Sequence, residues 1–432
     1  MYWETELETL NRKNIEKLQV ERLMKTLRQA VNSTYYGRTP EISKMIQTGI
    51  HSIEQIRELP FTTKEDLRND FPWGFLAADQ REVVRLHSSS GTTGNPTVVY
   101  HNRHDLASWA NLMARSLFAA GVRDTDVFQN MAGYGLFTGG LGFQYGVELL
   151  GCLSIPAGAG NSLRQIKLMR DYGTTVAHAI PSYLGRLYDV FKEEGLDPRK
   201  DTKLHTLVIG AEPHTEEHRQ RIEEMFGVKA YNSFGLSEMN GPGVAFECTE
   251  QNGLHIWEDA YVVEIINPKT LLPIADGEIG ELVMTTLDRQ AMPVIRYRTR
   301  DLTRFLPGEC KCGRTHRRLD RIAGRSDDMF IMKGCNVFPM QIEGVLMKLP
   351  EVGDDYRILL ETIDEQDEMI VEVEVKKDWF KGDLSLLDNL QKHITRLIRD
   401  EVLVRPLIKL VEPGSIPKCE GKAVRVFDRR KK

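Results

Sequence analysis

Residues 174–195 read TTVAHAIPSYLGRLYDVFKEEG, which is a short apolar strand followed directly by an amphipathic helix. The same strand-then-helix order recurs along the chain, from DVFQNMA at 126–132 to VKAYNSFG at 228–235. Such alternation predicts an α/β fold with a largely parallel sheet covered by helices on both faces. Because ligands bind beyond the carboxyl ends of such strands, GAEP at 210–213 and YNSFGLSEMNG at 231–241 are predicted to line the site.

The pattern changes on the carboxyl-terminal side of this run. From about 250 to 325 the sequence is rich in strands with tight turns, which predicts a smaller β subdomain attached to the sheet. Residues 326–432 mix strands with two helices and predict a compact, mobile α+β domain. The chain is therefore expected to divide into a large domain at 1–325 and a small one at 326–432.

Composition narrows the class of protein. The 432 residues are 41% hydrophobic and 28% charged, with a net charge of −5, as in an ordinary globular protein. An acidic balance gives no reason to expect nucleic acid or an anionic membrane as the main partner. The amino-terminal stretch is charged throughout and has no apolar core, so neither a secretory signal nor a membrane span is expected, and the predicted location is the cytoplasm.

One loop has the composition of an oxyanion grip. Residues 87–100 read HSSSGTTGNPTVVY, and hydroxyls with two glycines fill positions 88–94. Such a backbone can wrap its N–H groups around phosphate oxygens. A Walker loop would carry a lysine before its Ser or Thr and open a helix, whereas this loop has Asn95 after the second glycine and joins two strands. It is therefore not a Walker loop.

Seven stretches in order resemble the adenylate-forming enzymes, and among them the coenzyme A ligases of aryl acids such as phenylacetate. They are SSSGTTGNPTVV, YGLFTGGLGFQYG, YNSFGLSEMNGPGVAFEC, DGEIGELVMTTL, MPVIRYRTRDLT, RIAGRSDDMFIMKGCNVFP and SIPKCEGKAVRVFD. The resemblance spans nearly the whole chain. It implies that an acid attacks the α-phosphate of ATP to give an acyl-AMP and pyrophosphate, after which the thiol of coenzyme A displaces AMP.

The resemblance also implies roles for particular residues. Glu238 matches the acidic Mg²⁺ position, Asp301 the ribose-binding aspartate, and Lys422 the lysine that the small domain delivers to the reacting oxygens. Arg325 matches an arginine near the ribose and phosphate, and Asp327 matches the hinge. The remaining nucleotide-binding positions are Ser88, Ser89, Ser90, Gly91, Thr92, Thr93, Gly94, Gly210, Ala211, Glu212, Pro213, Tyr231, Asn232, Ser233, Phe234 and Gly235.

Each assignment has a simpler alternative. Glu238 on its own would be a solvated loop glutamate or a helix cap, and Asp301 could be the ion-pair partner of Arg298 or Arg300. Lys422 could be an exposed lysine before a final strand. For the acid, the glycine-rich stretches 134–140 and 240–246 suit a flat apolar ring, and their candidate pocket residues are Tyr134, Phe137 and Pro242.

Three cysteines and one histidine, residue types that can bind a metal ion, fall in two short pairs. Cys248 and His255 lie close together in sequence, and Cys310 and Cys312 are one residue apart at a turn. A β fold that joins these pairs would give a tetrahedral Cys₃His site, closed and therefore structural. The spacing is unusual for zinc, and free thiols are the competing interpretation.

The sequence therefore predicts an ATP- and Mg²⁺-dependent aryl-acid coenzyme A ligase, with phenylacetate as the leading acid and a homodimer as the expected assembly. An indoleacetate or benzoate type of ligase, or an adenylating enzyme with another acceptor, remains open. The alternative from a different class is a nucleotide-binding protein that has lost catalysis.

Overall fold

The computed structural model describes residues 1–88, 95–363, 366–377, 379, 384–417 and 424–430. Its contacts divide the chain into two compact units. The first contains residues 1–179, 202–211 and 231–321, and the second contains 180–201, 212–230 and 322–432.

The first unit combines helices with two large sheets. Its helices are α1 Thr5–Glu8, α2 Arg12–Ala30, α3 Thr34–Gly37, α4 Pro40–Thr48, α5 Lys64–Asn69, α6 Arg103–Ala119, α7 Thr138–Leu150 and α8 Ser162–Asp171. Its strands are β1 Arg85–Ser88, β2 Val98–His101, β3 Val127–Asn130, β4 Leu153–Ile155, β5 Val176–Ala179, β6 Thr206–Gly210, β7 Lys229–Leu236, β8 Gly241–Glu247, β9 Leu254–Ile256, β10 Tyr261–Ile266, β11 Gly280–Thr286, β12 Tyr297–Thr303, β13 Phe305–Leu306 and β14 Arg318–Leu319.

Nine of these strands form one sheet in the order β13-β14-β9-β8-β7-β6-β5-β3-β4. The pairs β3–β4, β3–β5 and β5–β6 are parallel, as the strand-helix alternation predicts. From β7 onward the sheet continues with antiparallel pairs through β8, β9 and β14. Strands on both sides of residue 250 thus belong to the same sheet, whereas β10, β11 and β12 pair antiparallel with one another in a separate sheet.

The packing of α6 on α7 shows how small residues position the loops of the large sheet. Asn102 caps α6 in a capping box with Asp105, and Trp109 and Met113 are buried on the inner face of the helix. A Cβ atom at Gly142 of α7 would lie 2.4 Å from the Trp109 ring, and one at Gly146 would lie 2.3 Å from Met113 Cβ. Only glycine allows this close approach, which places the amino-terminal end of α7 next to strand β8.

The second unit is smaller and has its own core. Its helices are α9 Pro181–Glu193, α10 Pro198–Asp201, α11 Glu216–Phe226, α12 Pro339–Leu346 and α13 Leu384–Val402. Its strands are β15 Gly324–Arg325, β16 Phe330–Met332, β17 Cys335–Val337, β18 Val352–Ile363, β19 Gln366–Val375, β20 Leu407–Val411 and β21 Val426–Asp428. A sheet in the order β20-β19-β18-β21 packs against α12 and α13 around Ile342, Leu346 and Ile398.

The α/β fold class predicted from the sequence is therefore confirmed. Among the described helices, none has both the length and the apolarity that crossing a bilayer requires.

Candidate active site and metal centre

The carboxyl end of β6 lies in very close contact with the middle of β7. A Cβ atom at Gly210 would lie only 2.2 Å from the Ser233 carbonyl oxygen, so no other residue fits without moving the backbone. The next residue, Ala211, has a positive φ of 67°. Tyr231 and Asn232 are buried on β7, and the Asn232 N–H donates to Glu247 Oε2 at 2.7 Å. Gly210 of the first predicted adenine-binding segment is thus a direct neighbour of Ser233 in the second.

A buried hydroxyl on β7 has no hydrogen-bond partner among the described residues. Ser233 is 5% exposed, and its Oγ makes no hydrogen bond within the described part of the chain. Leaving such a group unpaired costs about 1–3 kcal/mol. The position therefore suits a polar ligand atom, as nucleotide binding here would supply.

Glu238 lies on a tight hairpin that is held from several sides. Residues 237–240 join β7 to β8, and Ser237–Met239 form one 3-10 turn. The Glu238 carbonyl oxygen accepts from Arg289 Nη1 at 3.0 Å, and the Met239 carbonyl oxygen accepts from the Tyr261 hydroxyl at 2.8 Å. The Glu238 carboxylate itself accepts from the Tyr297 hydroxyl at 3.0 Å. A glutamate anchored at both its backbone and its side chain is not a solvated loop residue.

Two glycines close this hairpin. A Cβ atom at Gly235 would lie 2.0 Å from the Gly241 carbonyl oxygen, and Gly241 itself has a positive φ of 108°. Asn240, between the turn and Gly241, also has a positive φ, 85°, which asparagine tolerates better than most residues. The sequence GLSEMNG is therefore suited to present Glu238 on a rigid turn.

Asp301 lies on β12, in the sheet beside this hairpin, and is 9% exposed. The two arginines that precede it in sequence share another carboxylate, because Arg298 pairs with Glu281 at 2.8 Å and Arg300 lies 3.6 Å from the same oxygen. Glu281 is fully buried and serves as their common partner. The simple ion-pair interpretation of this stretch therefore applies to Glu281.

The predicted nucleotide-binding residues of the second unit have their own partners. Glu212 accepts hydrogen bonds from the Ser182 amide at 3.1 Å and the Ser182 hydroxyl at 2.9 Å. Arg325 donates to both carboxylate oxygens of Asp327 at 2.9 and 3.0 Å, and Asp327 is exposed, as expected of a hinge. Pro213 follows Glu212 in the loop before α11.

Some predicted residues lie outside the described part of the chain. They are Ser89, Ser90, Gly91, Thr92, Thr93, Gly94 and Lys422. The residues that flank the loop are described: β1 and β2 pair antiparallel, so the loop does join strand to strand. Ser88 donates its N–H to the Leu136 carbonyl oxygen at 3.0 Å, and Asn95 Nδ2 donates to the Arg68 carbonyl oxygen at 3.2 Å.

The residues predicted to bind the acid are two exposed aromatic side chains and a half-buried proline. Tyr134 and Phe137 are exposed, and Pro242 accepts from the Trp109 indole N–H at 2.9 Å through its carbonyl oxygen. The Tyr134 hydroxyl accepts from Asn130 at 3.0 Å and donates to Gln144 at 2.9 Å. The part of the ring that is withdrawn from water raises the pKa of Tyr134 above its ordinary value. The tyrosine therefore has a fixed orientation before any acid binds.

The two cysteine and histidine pairs meet in one cluster. Cys248 follows β8, His255 is on β9, and Cys310 and Cys312 lie in the loop between β13 and β14, which the sheet brings alongside β9. The four ligand atoms all lie within 4.8 Å of one another. Cys248 Sγ is 3.7 Å from Cys310 Sγ, and Cys312 Sγ is 3.3 Å from His255 Nε2.

These distances fit a tetrahedral metal. Zinc–sulfur bonds of about 2.3 Å place two ligand sulfurs about 3.8 Å apart. The other ring nitrogen of His255, Nδ1, lies 3.4 Å from the His316 carbonyl oxygen, which leaves Nε2 for the cluster. Cys248 and His255 are fully buried, and Cys310 is 6% exposed.

The electrostatics favour a deprotonated sulfur. The pKa of Cys312 lies well below its ordinary value because Cys248 donates a hydrogen bond to its sulfur and His255 adds a further one. Burial acts to raise the pKa of Cys310, but the hydrogen bond from His255, the hydrogen bond from the Cys312 backbone amide and the charge of His255 together lower it. A thiolate is the form that binds metal.

Three residues that hold the Glu238 hairpin are not indicated by the sequence. Tyr297, Arg289 and Tyr261 contact the hairpin from positions 22 to 59 residues away along the chain. Tyr297 stands inside the stretch MPVIRYRTRDLT, which is the available signal, but nothing in the sequence says that its hydroxyl faces Glu238.

Comparison with known proteins defines the class first. Residues 40–288 match the AMP-binding enzyme family, and residues 334–430 match the AMP-binding enzyme C-terminal domain. A structure of 2-hydroxyisobutyryl-CoA ligase in the postadenylation state, in complex with R3-HIB-AMP, superimposes with a TM-score of 0.93 at 28% identity, covering 99% of this chain and 92% of that one. Fold and site residues thus define an adenylate-forming enzyme.

Full-length relatives define the family more closely. The chain is 42% identical over 446 residues to phenylacetate-coenzyme A ligase of Thermus thermophilus, with 100% of both chains covered. It is also 42% identical over 426 residues to phenylacetate-coenzyme A ligase of Escherichia coli, covering 98% of this chain and 97% of that one. The chain belongs to the phenylacetate-coenzyme A ligase family of AMP-binding enzymes.

Proposed function

We propose that the protein joins an aryl acid, with phenylacetate as the leading candidate, to coenzyme A in two steps at the expense of ATP. The acid's carboxylate attacks the α-phosphate of ATP, the bond to pyrophosphate breaks, and acyl-AMP forms. The coenzyme A thiol then attacks the acyl carbon, and AMP leaves. The observation that carries this proposal is the Glu238 hairpin at the carboxyl end of β7, the strand that also carries Ser233, whose hydroxyl has no hydrogen-bond partner among the described residues.

The first step brings two anions together, so the site must offset negative charge. Glu238 would hold Mg²⁺, which when bound neutralises the charge that develops on the phosphate oxygens. The Ser233 hydroxyl and the backbone at Gly210 and Ala211 would contact the adenine, and Asp301 would accept hydrogen bonds from the ribose hydroxyls. The hydroxyls of the 88–94 loop would contact the outer phosphates, as the resemblance implies.

Lys422, Arg325 and Asp327 complete the proposal, with the boundary between the large and the small domain set between residues 325 and 326. Lys422 would donate to the α-phosphate and carboxylate oxygens in the first step. Lys422→Ala should therefore abolish acyl-AMP formation while largely sparing thiolysis of supplied acyl-AMP. Equal loss of both half-reactions would remove this assignment.

The acid is proposed from the pocket. Tyr134, Phe137 and Pro242 offer flat apolar surface, and the Tyr134 hydroxyl is already paired with Asn130 and Gln144. This hydroxyl therefore needs no hydrogen bond from the acid, and an acid whose ring carries no polar substituent leaves it paired. This favours phenylacetate over hydroxylated acids.

A pyrophosphate-release screen tests the function. Phenylacetate, indoleacetate, benzoate and hydroxybenzoate are each supplied with ATP and Mg²⁺, with and without coenzyme A, and acyl-CoA is followed separately. We expect the highest kcat/KM with phenylacetate, and acyl-CoA only when coenzyme A is present. Acyl-AMP that forms without being consumed by coenzyme A would point to another acceptor, and absence of pyrophosphate release with every acid would point to a non-catalytic protein.

We further propose that Cys248, His255, Cys310 and Cys312 hold a structural zinc ion. The geometry supports a closed tetrahedral site, since all four ligand atoms come from the protein and three of the four residues are buried. Metal analysis of the purified protein should find about one equivalent of zinc per chain. Less than about a tenth of an equivalent would favour free thiols.

A homodimer and a cytoplasmic location remain predictions. Sedimentation of the purified protein tests the assembly, and cell fractionation tests the location.

A further inference from the structure

The Glu238 carboxylate is asymmetric in its contacts. Its Oε1 accepts a hydrogen bond from the Tyr297 hydroxyl at 3.0 Å, while its Oε2 makes no hydrogen bond within the described residues. We propose that Tyr297 is a positioning residue that limits Glu238 to one oxygen for a cation and thereby favours Mg²⁺ over Ca²⁺. The inference rests on the proposed role of Glu238 as a metal ligand.

Coordination chemistry links the hydrogen bond to metal selectivity. Mg²⁺ keeps near-ideal octahedral geometry and takes one oxygen from each carboxylate, whereas Ca²⁺ is larger and often takes both oxygens of one carboxylate. A phenol donor on Oε1 competes with the second metal–oxygen bond. The hydrogen bond therefore disfavours the bidentate mode and leaves the monodentate mode intact.

The Tyr297 ring is fixed independently of any ligand. It is 3% exposed at the start of β12, where its backbone pairs with Met284 on β11 and forms a bridge to Thr62 on the other side. The amides on either side of it complete this bridge, since Thr62 donates to the Arg296 carbonyl oxygen and Arg298 donates to that of Thr62. A donor held by the sheet in this way cannot follow the carboxylate if Glu238 rotates, so it selects one carboxylate orientation.

The same turn offers a matched control. Tyr261 is also buried and also donates to the Ser237–Met239 turn, but its acceptor is the Met239 carbonyl oxygen rather than the Glu238 carboxylate. Tyr261→Phe and Tyr297→Phe therefore each remove one phenol from the turn. Only Tyr297→Phe removes the donor from the candidate metal ligand.

The test is a competition experiment with Mn²⁺ as the probe. The full-length enzyme is loaded with a non-cleavable α,β-methylene analogue of ATP and Mn²⁺, and displacement of bound Mn²⁺ by Mg²⁺ or Ca²⁺ is followed by electron paramagnetic resonance. For Tyr297→Phe we expect the preference for Mg²⁺ over Ca²⁺ to fall by about fivefold to tenfold. Incorporation of 4-aminophenylalanine at position 297, which restores a donor, should recover most of it.

Three outcomes would overturn the inference. They are an unchanged preference in a folded Tyr297→Phe variant, an equal change in Tyr261→Phe, and failure of the 4-amino group to restore the preference lost with phenylalanine. If Tyr297→Phe does not fold, the comparison of 4-aminophenylalanine with 4-methylphenylalanine at position 297 decides the question, since the two differ in the donor. Glu238→Gln separates the two levels: if it still binds Mn²⁺ as wild type does, the role of Glu238 itself is wrong.

Discussion

The sulfur cluster and the Glu238 hairpin are two candidate metal centres built on opposite designs. The cluster brings the ligand atoms of Cys248, His255, Cys310 and Cys312 within 4.8 Å of one another, so the protein itself offers all four ligands of a tetrahedral metal ion. The hairpin presents one carboxylate, and one of its oxygens is occupied by the Tyr297 hydroxyl. Both centres lie in the first unit, the hairpin directly before β8 and Cys248 of the cluster directly after it.

This difference matches the structural role proposed for the cluster and the catalytic role proposed for the hairpin. A closed site has no position left for a substrate, and its binding free energy contributes to folding. At an open site, phosphate oxygens and water occupy the other coordination positions of the cation, so few protein ligands are needed. Four variants test this comparison, in order of their expected effect on the rate of acyl-AMP formation.

Glu238→Gln should cause the largest loss of activity. The amide keeps the shape of the side chain but removes the charge that attracts the cation, so acyl-AMP formation should fall by at least about a hundredfold. Zinc content should remain at about one equivalent. Glu250→Gln is the control, because Glu250 is exposed beyond the end of β8. A normal rate in Glu238→Gln would contradict the catalytic role.

Gly235→Ala should disturb the hairpin without touching the carboxylate. The new Cβ atom would lie 2.0 Å from the Gly241 carbonyl oxygen, so the backbone must shift and Glu238 moves with it. We expect a loss of about tenfold in kcat/KM, since small displacements of catalytic groups are costly. In Gly344→Ala the nearest atom to the new Cβ lies at 3.8 Å, and the rate should be unchanged. Similar rates in both variants would mean that the hairpin tolerates displacement.

Asn95→Lys should have a smaller effect. Asn95 donates to the Arg68 carbonyl oxygen at the end of the 88–94 loop, and a lysine there adds a positive charge near the predicted position of the outer phosphates. The KM for ATP should fall by about twofold to fivefold, and the reaction products should stay the same. Steady-state kinetics at varied ATP concentration measures this. Loss of acyl-AMP synthesis in the folded variant would contradict the proposed division of roles.

The double variant Cys310→Ser with Cys312→Ser should show the reverse pattern. Zinc should be lost and the melting temperature should fall by more than about 5 °C, given roughly 2–4 °C for each kcal/mol in a domain of this size. The rate per folded molecule should change less than about twofold. Cys335→Ser is the control, because Cys335 belongs to the second unit and is not one of the four clustered residues. A rate loss as large as that of Glu238→Gln would make the cluster part of the catalytic machinery.

Local sequence patterns were sufficient for much of the fold. The alternation of strand and helix from 126 to 235 depends on hydrophobic periodicity and on glycine at turns, and both are properties of neighbouring residues. The residues of the candidate site could also be found from the sequence where they lie within one short stretch. GLSEMNG carries both the glutamate and the two glycines of its hairpin, and the resemblance to the adenylate-forming enzymes assigned Glu238 to Mg²⁺, whereas the contacts that hold the turn became visible only in the structure.

Tertiary structure decided the contacts between distant stretches. The Tyr297 hydroxyl lies 59 residues from Glu238 along the chain, and Cys248 lies 62 residues from Cys310. The large sheet also takes in β9, β13 and β14, although these strands lie after residue 250, in the same strand-rich stretch as the separate sheet. Strand order and register set these distances, and hydrophobic alternation cannot specify them, because the same apolar face packs against any neighbouring strand. The sequence determined which chemical groups were present, and the pairing of strands decided which of them meet.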